Sequence, residues 1–142
     1  VEPTDFFKTA ALLRNKKHQG HLRTSIGRSY YAALLYFRER LKSKGLEKTI
    51  QPNQNVHAFV IDCLQFSEVG EGRKAAIYLK NLQQVRENAD YRLDMVFTPN
   101  DADDALKNAR TVIRDYGKIT PEQENQLIAK AKGYAQKKSW TR

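Results

Sequence analysis

Apolar residues recur at helical spacing along nearly the whole chain, and no stretch shows the strict alternation of a strand. The densest run is Arg28-Ser29-Tyr30-Tyr31-Ala32-Ala33-Leu34-Leu35-Tyr36-Phe37. Ile26, Tyr30, Ala33/Leu34, Phe37 and Leu41 form one stripe, with Tyr31 and Leu35 in a second beside it. A helix apolar over so wide an arc is buried from more than one side, so the pattern predicts a central helix from about Leu22 to Lys44, stopped at Gly45. Gly27 inside it is expected where another backbone passes close by.

Before it, Thr4 is a candidate cap for a helix carrying Phe6, Ala10 and Leu13, broken near Gly20. Residues 45–54 read as a loop, with Pro52 and Asn53 as breakers. Asn55 or Asn53 caps a third helix with Val56, Phe59/Val60 and Cys63/Leu64. Gly70-Glu71-Gly72 reads as a turn. A fourth helix, about Arg73 to Tyr91, aligns Ala75, Leu79, Leu82, Arg86 and Ala89, which puts Arg86 at or inside the margin of a core-facing stripe. Residues 92–99 form a loop. A fifth helix is capped by Asn100 or Asp101, has acids in its first turn and ends in Arg110 and Arg114, the order the helix dipole favours. Thr120-Pro121-Glu122-Gln123 opens a sixth, with little apolar content and a basic end. The expectation is an all-α antiparallel bundle of four to five helices over residues 1–117. Residues 118–142 form a basic C-terminal helix, an appendage suited to docking on a partner or a second copy.

Composition narrows the class. At 142 residues the chain buries a core without disulfide or metal, and the single Cys63 has no internal partner. No apolar run reaches membrane-spanning length and no signal peptide is visible, so the expectation is a cytoplasmic protein without membrane attachment. The net charge of +9 is uneven. Residues 8–48 hold eleven Lys or Arg against two acids and residues 118–142 hold six against two, whereas residues 49–117 hold eight against ten. Such a distribution suits an anionic partner such as nucleic acid or nucleotide, or else two well-solvated basic helix faces.

Metal and cofactor chemistry find little support in the motifs. His18 and His21 share no third ligand, there is no phosphate-binding or dinucleotide glycine loop, and Cys63 lies on an apolar face. The segment that stands out is Arg86-Glu87-Asn88-Ala89-Asp90-Tyr91-Arg92. Arg86 and Asp90, four apart, meet on one helix face. They form either an intramolecular clamp with Tyr91 packed beneath the bundle, or a site where Arg86 and Arg92 present guanidinium to phosphate. His57, in the first turn of the third helix on the side of Ile61 and Leu64, is a core residue, a cap or a base. Arg28 pairs with an acid or faces an anion.

These elements together resemble the HEPN domain (higher eukaryote and prokaryote nucleotide-binding), in its branch of small stand-alone prokaryotic proteins. The likeness rests on Arg28-Ser29-Tyr30-Tyr31-Ala32 opening the second helix, His57 starting the third, Arg86 through Tyr91 ending the fourth, and an amphipathic helix after an acidic cap. It covers about residues 4–116. The resemblance implies a bundle of four to five helices that commonly dimerises. It also implies a toxin–antitoxin, phage-defence or RNA-processing setting, often beside a small nucleotidyltransferase. Many such proteins are metal-independent ribonucleases whose motif is Arg, four to six residues, then His. Here Tyr91 and Arg92 occupy the positions where that His would fall, and no histidine follows His57.

Three functions follow as expectations. The first is a dimeric RNA- or nucleotide-binding domain using Arg28, Arg86 and Arg92. The second is an active metal-independent endoribonuclease that joins Arg86 to a non-standard partner among His57, Asp90 and Tyr91. The third is a non-catalytic interaction module paired with a nucleotidyltransferase or larger effector. None requires a cofactor or metal.

Overall fold

The computed structural model describes residues 1–48 and 55–141. Six helices follow one another: α1 (Pro3–Leu13), α2 (Gln19–Ser43), α3 (Val56–Gln65), α4 (Gly70–Tyr91), α5 (Pro99–Tyr116) and α6 (Pro121–Lys137). Among the described residues there is no strand, and the all-α helical bundle expected from the pattern is what forms.

α2 is the central helix and packs against α1, α3, α4 and α5. Leu22, Ile26, Tyr30, Ala33, Leu34, Phe37 and Leu41 are buried, while Tyr31 and Leu35 of the second stripe are half-buried. Gly45 adopts a positive φ of 81°, which explains why a glycine follows this helix. α2 starts earlier than expected. His18 is its cap, accepting at Nδ1 from the Gly20 N–H (3.1 Å), so Gly20 lies in the first turn and α1 has already ended at Leu13.

Other helix starts also differ from expectation. α1 is entered through Glu2, whose N–H donates to the Asp5 carboxylate (2.8 Å), rather than through Thr4. Thr98, not Asn100 or Asp101, caps α5; Asp101 is the reciprocal member of that capping box, and Pro99 fills the first position. Asn55 caps α3 and Thr120 caps α6 as expected. Asn53 and Pro52 lie outside the described residues.

The glycine pair before Arg73 is helical, and α4 begins at Gly70. A Cβ on Gly72 would lie 2.5 Å from Ser67 Oγ and 2.7 Å from the Leu64 carbonyl oxygen. The close backbone approach expected at Gly27 therefore occurs at Gly72, in the α3–α4 corner. Nothing lies within 4 Å of a Cβ placed on Gly27.

α6 is seated on its own chain. Leu127, Ile128, Ala131 and Ala135 are buried in the common core, and α6 runs against α3 in the opposite sense, with Tyr134 on Phe66 and Trp140 on Phe59. Its first turns are held by Glu124, 4% exposed, which accepts two hydrogen bonds from Arg40 (3.0 and 2.6 Å) and one from Tyr116 (2.8 Å), with the Lys44 ammonium at 3.4 Å. Burial alone would raise its pKa, but these donors outweigh it and hold the carboxyl below its ordinary value. This anchor was not evident from the weak apolar content of α6. Among the described residues, no helix is long and apolar enough to cross a membrane.

Candidate functional site

α2 and α4 are antiparallel where they meet, and polar groups fix their register. Arg23, on the first turns of α2, donates from Nη1 to the Ala89 and Arg92 carbonyls (2.8 and 3.1 Å) and from Nη2 to the Met95 carbonyl (2.6 Å). Its guanidinium also lies 5.0 Å from the Phe97 ring centre. The last carbonyls of α4 have no partners within the helix, so a cation supplied there both satisfies them and suits the dipole. Gln19 exchanges two hydrogen bonds with the Phe97 backbone in the same loop. Two turns further along α2, this register sets Tyr31 beside Arg86.

The Arg86 guanidinium carbon is 5.2 Å from the Tyr31 ring centre, and its side chain is 17% exposed, the margin position that the helical pattern implied. Nε is 2.9 Å from Asp90 Oδ2. The N–H is not directed at that oxygen, so this is an ion pair rather than an aligned hydrogen bond. The terminal nitrogens donate to no other described residue, so the guanidinium keeps donors available beyond its clamp.

His57 joins the same cluster from α3. Its ring stacks on Tyr30 (centroids 5.6 Å apart, planes 16°) and meets Tyr31 edge-on at 5.8 Å. Nδ1 is 2.6 Å from the Tyr30 hydroxyl. Burial, and then the positive charge of Arg86, lower the His57 pKa, while Glu87 opposes them. His57 is therefore neutral at pH 7. Burial raises the pKa of Tyr30 above its ordinary value, so the phenol keeps its proton. Tyr30 is fully buried, and among the described residues His57 Nδ1 is the partner in reach of its hydroxyl. The hydroxyl therefore donates to Nδ1, which assigns the imidazole proton to Nε2.

The remaining candidates lie outside this cluster. Arg28 is exposed and sits over Phe6 of α1 at 5.3 Å. Arg92 forms a two-bond pair with Asp94 (3.0 and 2.9 Å), both exposed. Tyr91 is 72% exposed rather than packed beneath the bundle. Thus the fold brings together Arg86, Asp90 and His57 with the unanticipated Tyr30 and Tyr31, and leaves Arg28, Arg92 and Tyr91 apart. The sequence signal for the tyrosines was present, but their period made them read as core.

Elsewhere, His18 and His21 have ring centres 5.2 Å apart, and His18 spends Nδ1 on its cap. Burial pushes the Cys63 thiol up to about 12, with Asp62 adding to the effect, so it is no nucleophile. A groove of about 720 Å3 between α4 and α5 uses a different face of α4, lined by Leu82, Val85, Met95, Phe97 and Ala105.

No protein-family model, curated protein or solved structure matches this chain.

Proposed function

We propose that the chain is a HEPN-type RNA- or nucleotide-binding domain whose phosphate contact is made by Arg86 and His57. The observation that carries this reading is the meeting of the two residues, 29 positions apart in sequence, around the Tyr30–Tyr31 pair. Arg86 supplies a planar, permanently charged donor fork. His57, held by Tyr30 in the Nε2–H form, supplies a second donor. Two donors from different helices, both bordering the Tyr31 ring, suit a phosphate oxygen pair. Asp90 holds the guanidinium in the absence of ligand, and an incoming phosphate displaces it. In this reading the domain works as a homodimer in the cytoplasm, in a toxin–antitoxin, defence or RNA-processing setting. A nucleotidyltransferase-type partner fits that setting.

A second reading, metal-independent RNA cleavage, is favoured by one particular observation. The neutral imidazole that the Arg86 segment lacks is supplied by α3, within the electrostatic reach of Arg86. Cleavage through it requires a proton relay in which Tyr30 takes part, because Nδ1 is already engaged.

Incubating the protein with mixed RNA in EDTA, beside Arg86→Ala, separates the two. A mobility shift without cleavage, lost in the variant, supports binding. Cleavage lost in the variant, and in His57→Gln, supports catalysis. Absence of both at low salt refutes the nucleic-acid reading and leaves a protein-interaction role.

A further inference from the structure

A second region of the surface combines aromatic and cationic groups that lie far apart in the sequence. Phe66, the C-cap of α3, and Tyr134 of α6 stack with ring centres 4.6 Å apart and planes inclined by 23°. Phe66 remains 45% exposed, so one part of its ring is covered by Tyr134 and the rest faces solvent. The pair borders a groove of about 550 Å3 formed by the α3–α4 corner and α6, and lined also by Arg73, Lys130 and Lys137.

The charges around this groove are unbalanced. Lys130 is engaged by Glu68 at 3.3 Å, both groups largely exposed. Arg73 and Lys137 have no acidic partner among the described residues. Lys138 lies 6.0 Å from the Tyr134 ring centre, on the α6 side. Asp62 is the other acid nearby, and it accepts from the Tyr134 hydroxyl at 3.4 Å, which holds that ring in place. Arg73, Lys137 and Lys138 therefore leave a positive excess around an exposed aromatic face. No such interleaving is visible along the chain, because Phe66, Arg73 and the α6 lysines come from three helices.

We propose that this groove is a second binding site, which takes a nucleotide unit. The base extends the Phe66–Tyr134 stack, and its phosphate is held by Arg73 and Lys137. Stacking on an aromatic face is tolerant of base identity, and the flanking cations track a backbone. The site does not share a residue with the Arg86–His57 cluster. His57 is the second residue of α3 and Phe66 follows its last, so about 14 Å of helix separates the two.

The test uses the whole chain and two probes: a fluorescent single-stranded oligoadenylate, and AMP. Wild type is compared at low salt with Phe66→Ala, Phe66→Leu and Arg73→Gln, each checked for native helical content by circular dichroism. Phe66→Leu keeps the apolar volume under Tyr134 while removing the aromatic face. Both Phe66 variants are expected to weaken oligoadenylate roughly five- to hundredfold. Arg73→Gln should lower the slope of log affinity against log salt by about 0.7. AMP binding with the same dependence on Phe66 identifies a free nucleotide as sufficient, whereas binding of the oligonucleotide alone identifies a strand; either supports the site. Unchanged oligoadenylate affinity in both Phe66 variants, or no binding of either probe by wild type, overturns it. Arg86→Ala is measured in parallel, so failure here is distinguishable from failure at the first site.

Discussion

The Tyr30 hydroxyl lies 2.6 Å from His57 Nδ1, and that one contact decides what the imidazole can offer. A buried phenol that keeps its proton must donate it, so Nδ1 accepts and Nε2 carries hydrogen. Tyr30→Phe removes the donor. The His57 ring, held as the Nε2–H form in the wild type, should then show a mixture of tautomers in long-range proton–nitrogen spectra. The loss of stability should be about 1 kcal/mol, the ordinary worth of one such bond.

His57 also titrates in a predictable direction. Burial, then Arg86, lower its pKa below the ordinary 6.5. At mildly acidic pH the unfolded chain therefore binds a proton that the folded chain refuses. Stability contributed by neutral His57 is complete above 6.5 and falls away as pH drops below it toward the lowered value. Arg86→Ala should move the His57 midpoint upward in a proton NMR titration; a midpoint that stays put would mean the arginine does not act on the ring.

Asp90 competes with any anion for Arg86, to which it is paired at 2.9 Å. The aspartate is over a third exposed, so solvent screens the pair and its worth is small. Asp90→Asn should tighten RNA binding by roughly two- to fivefold in an anisotropy titration, in keeping with a helix ion pair of this kind. Weaker binding would show that Asp90 positions Arg86 rather than competing for it.

Gly27 and Gly72 should respond in opposite directions to alanine. At Gly27 an added methyl meets nothing within 4 Å, so Gly27→Ala gains about 1 kcal/mol from helix propensity. At Gly72 the same methyl runs into Ser67 Oγ and the Leu64 carbonyl, and overpacking of this kind costs about 1–3 kcal/mol. Urea melts of the two variants check both signs.

Glu124 is the anchor of α6. Glu124→Ala leaves the buried Tyr116 hydroxyl without its acceptor and should cost about 1–3 kcal/mol. Because Tyr134 follows on the same helix and Trp140 lies just beyond its end, amide exchange should also speed up along α6 more than along α2.

Much of this architecture is legible in residue spacing. The wide apolar arc of α2, the stripe of α4 with Arg86 at its edge, and the Thr120-Pro121 start of α6 follow from helical period and capping chemistry. Helix starts at His18, Thr98 and Gly70 are less legible. There the deciding partner is a side-chain acceptor or a tight corner, and propensity is silent about both. The site is legible only in part. Arg86 and Asp90 are a local pair, four apart on one helix, and spacing alone brings them together. His57 reaches them only through the α2–α3–α4 packing, and Tyr30 and Tyr31 carry the same period as the core they border. Glu124, in a helix with thin apolar content, reads as a surface acid until Arg40 and Tyr116 are seen around it.

The central claim is that the Arg86–His57 cluster contacts phosphate. It is tested most directly by following the His57 ring resonances while short single-stranded RNA is titrated in at low salt. The account predicts that the ring shifts, that its pKa rises because phosphate favours the imidazolium, and that Arg86→Ala abolishes the response. RNA that binds while His57 keeps its resonances and its titration midpoint would contradict it.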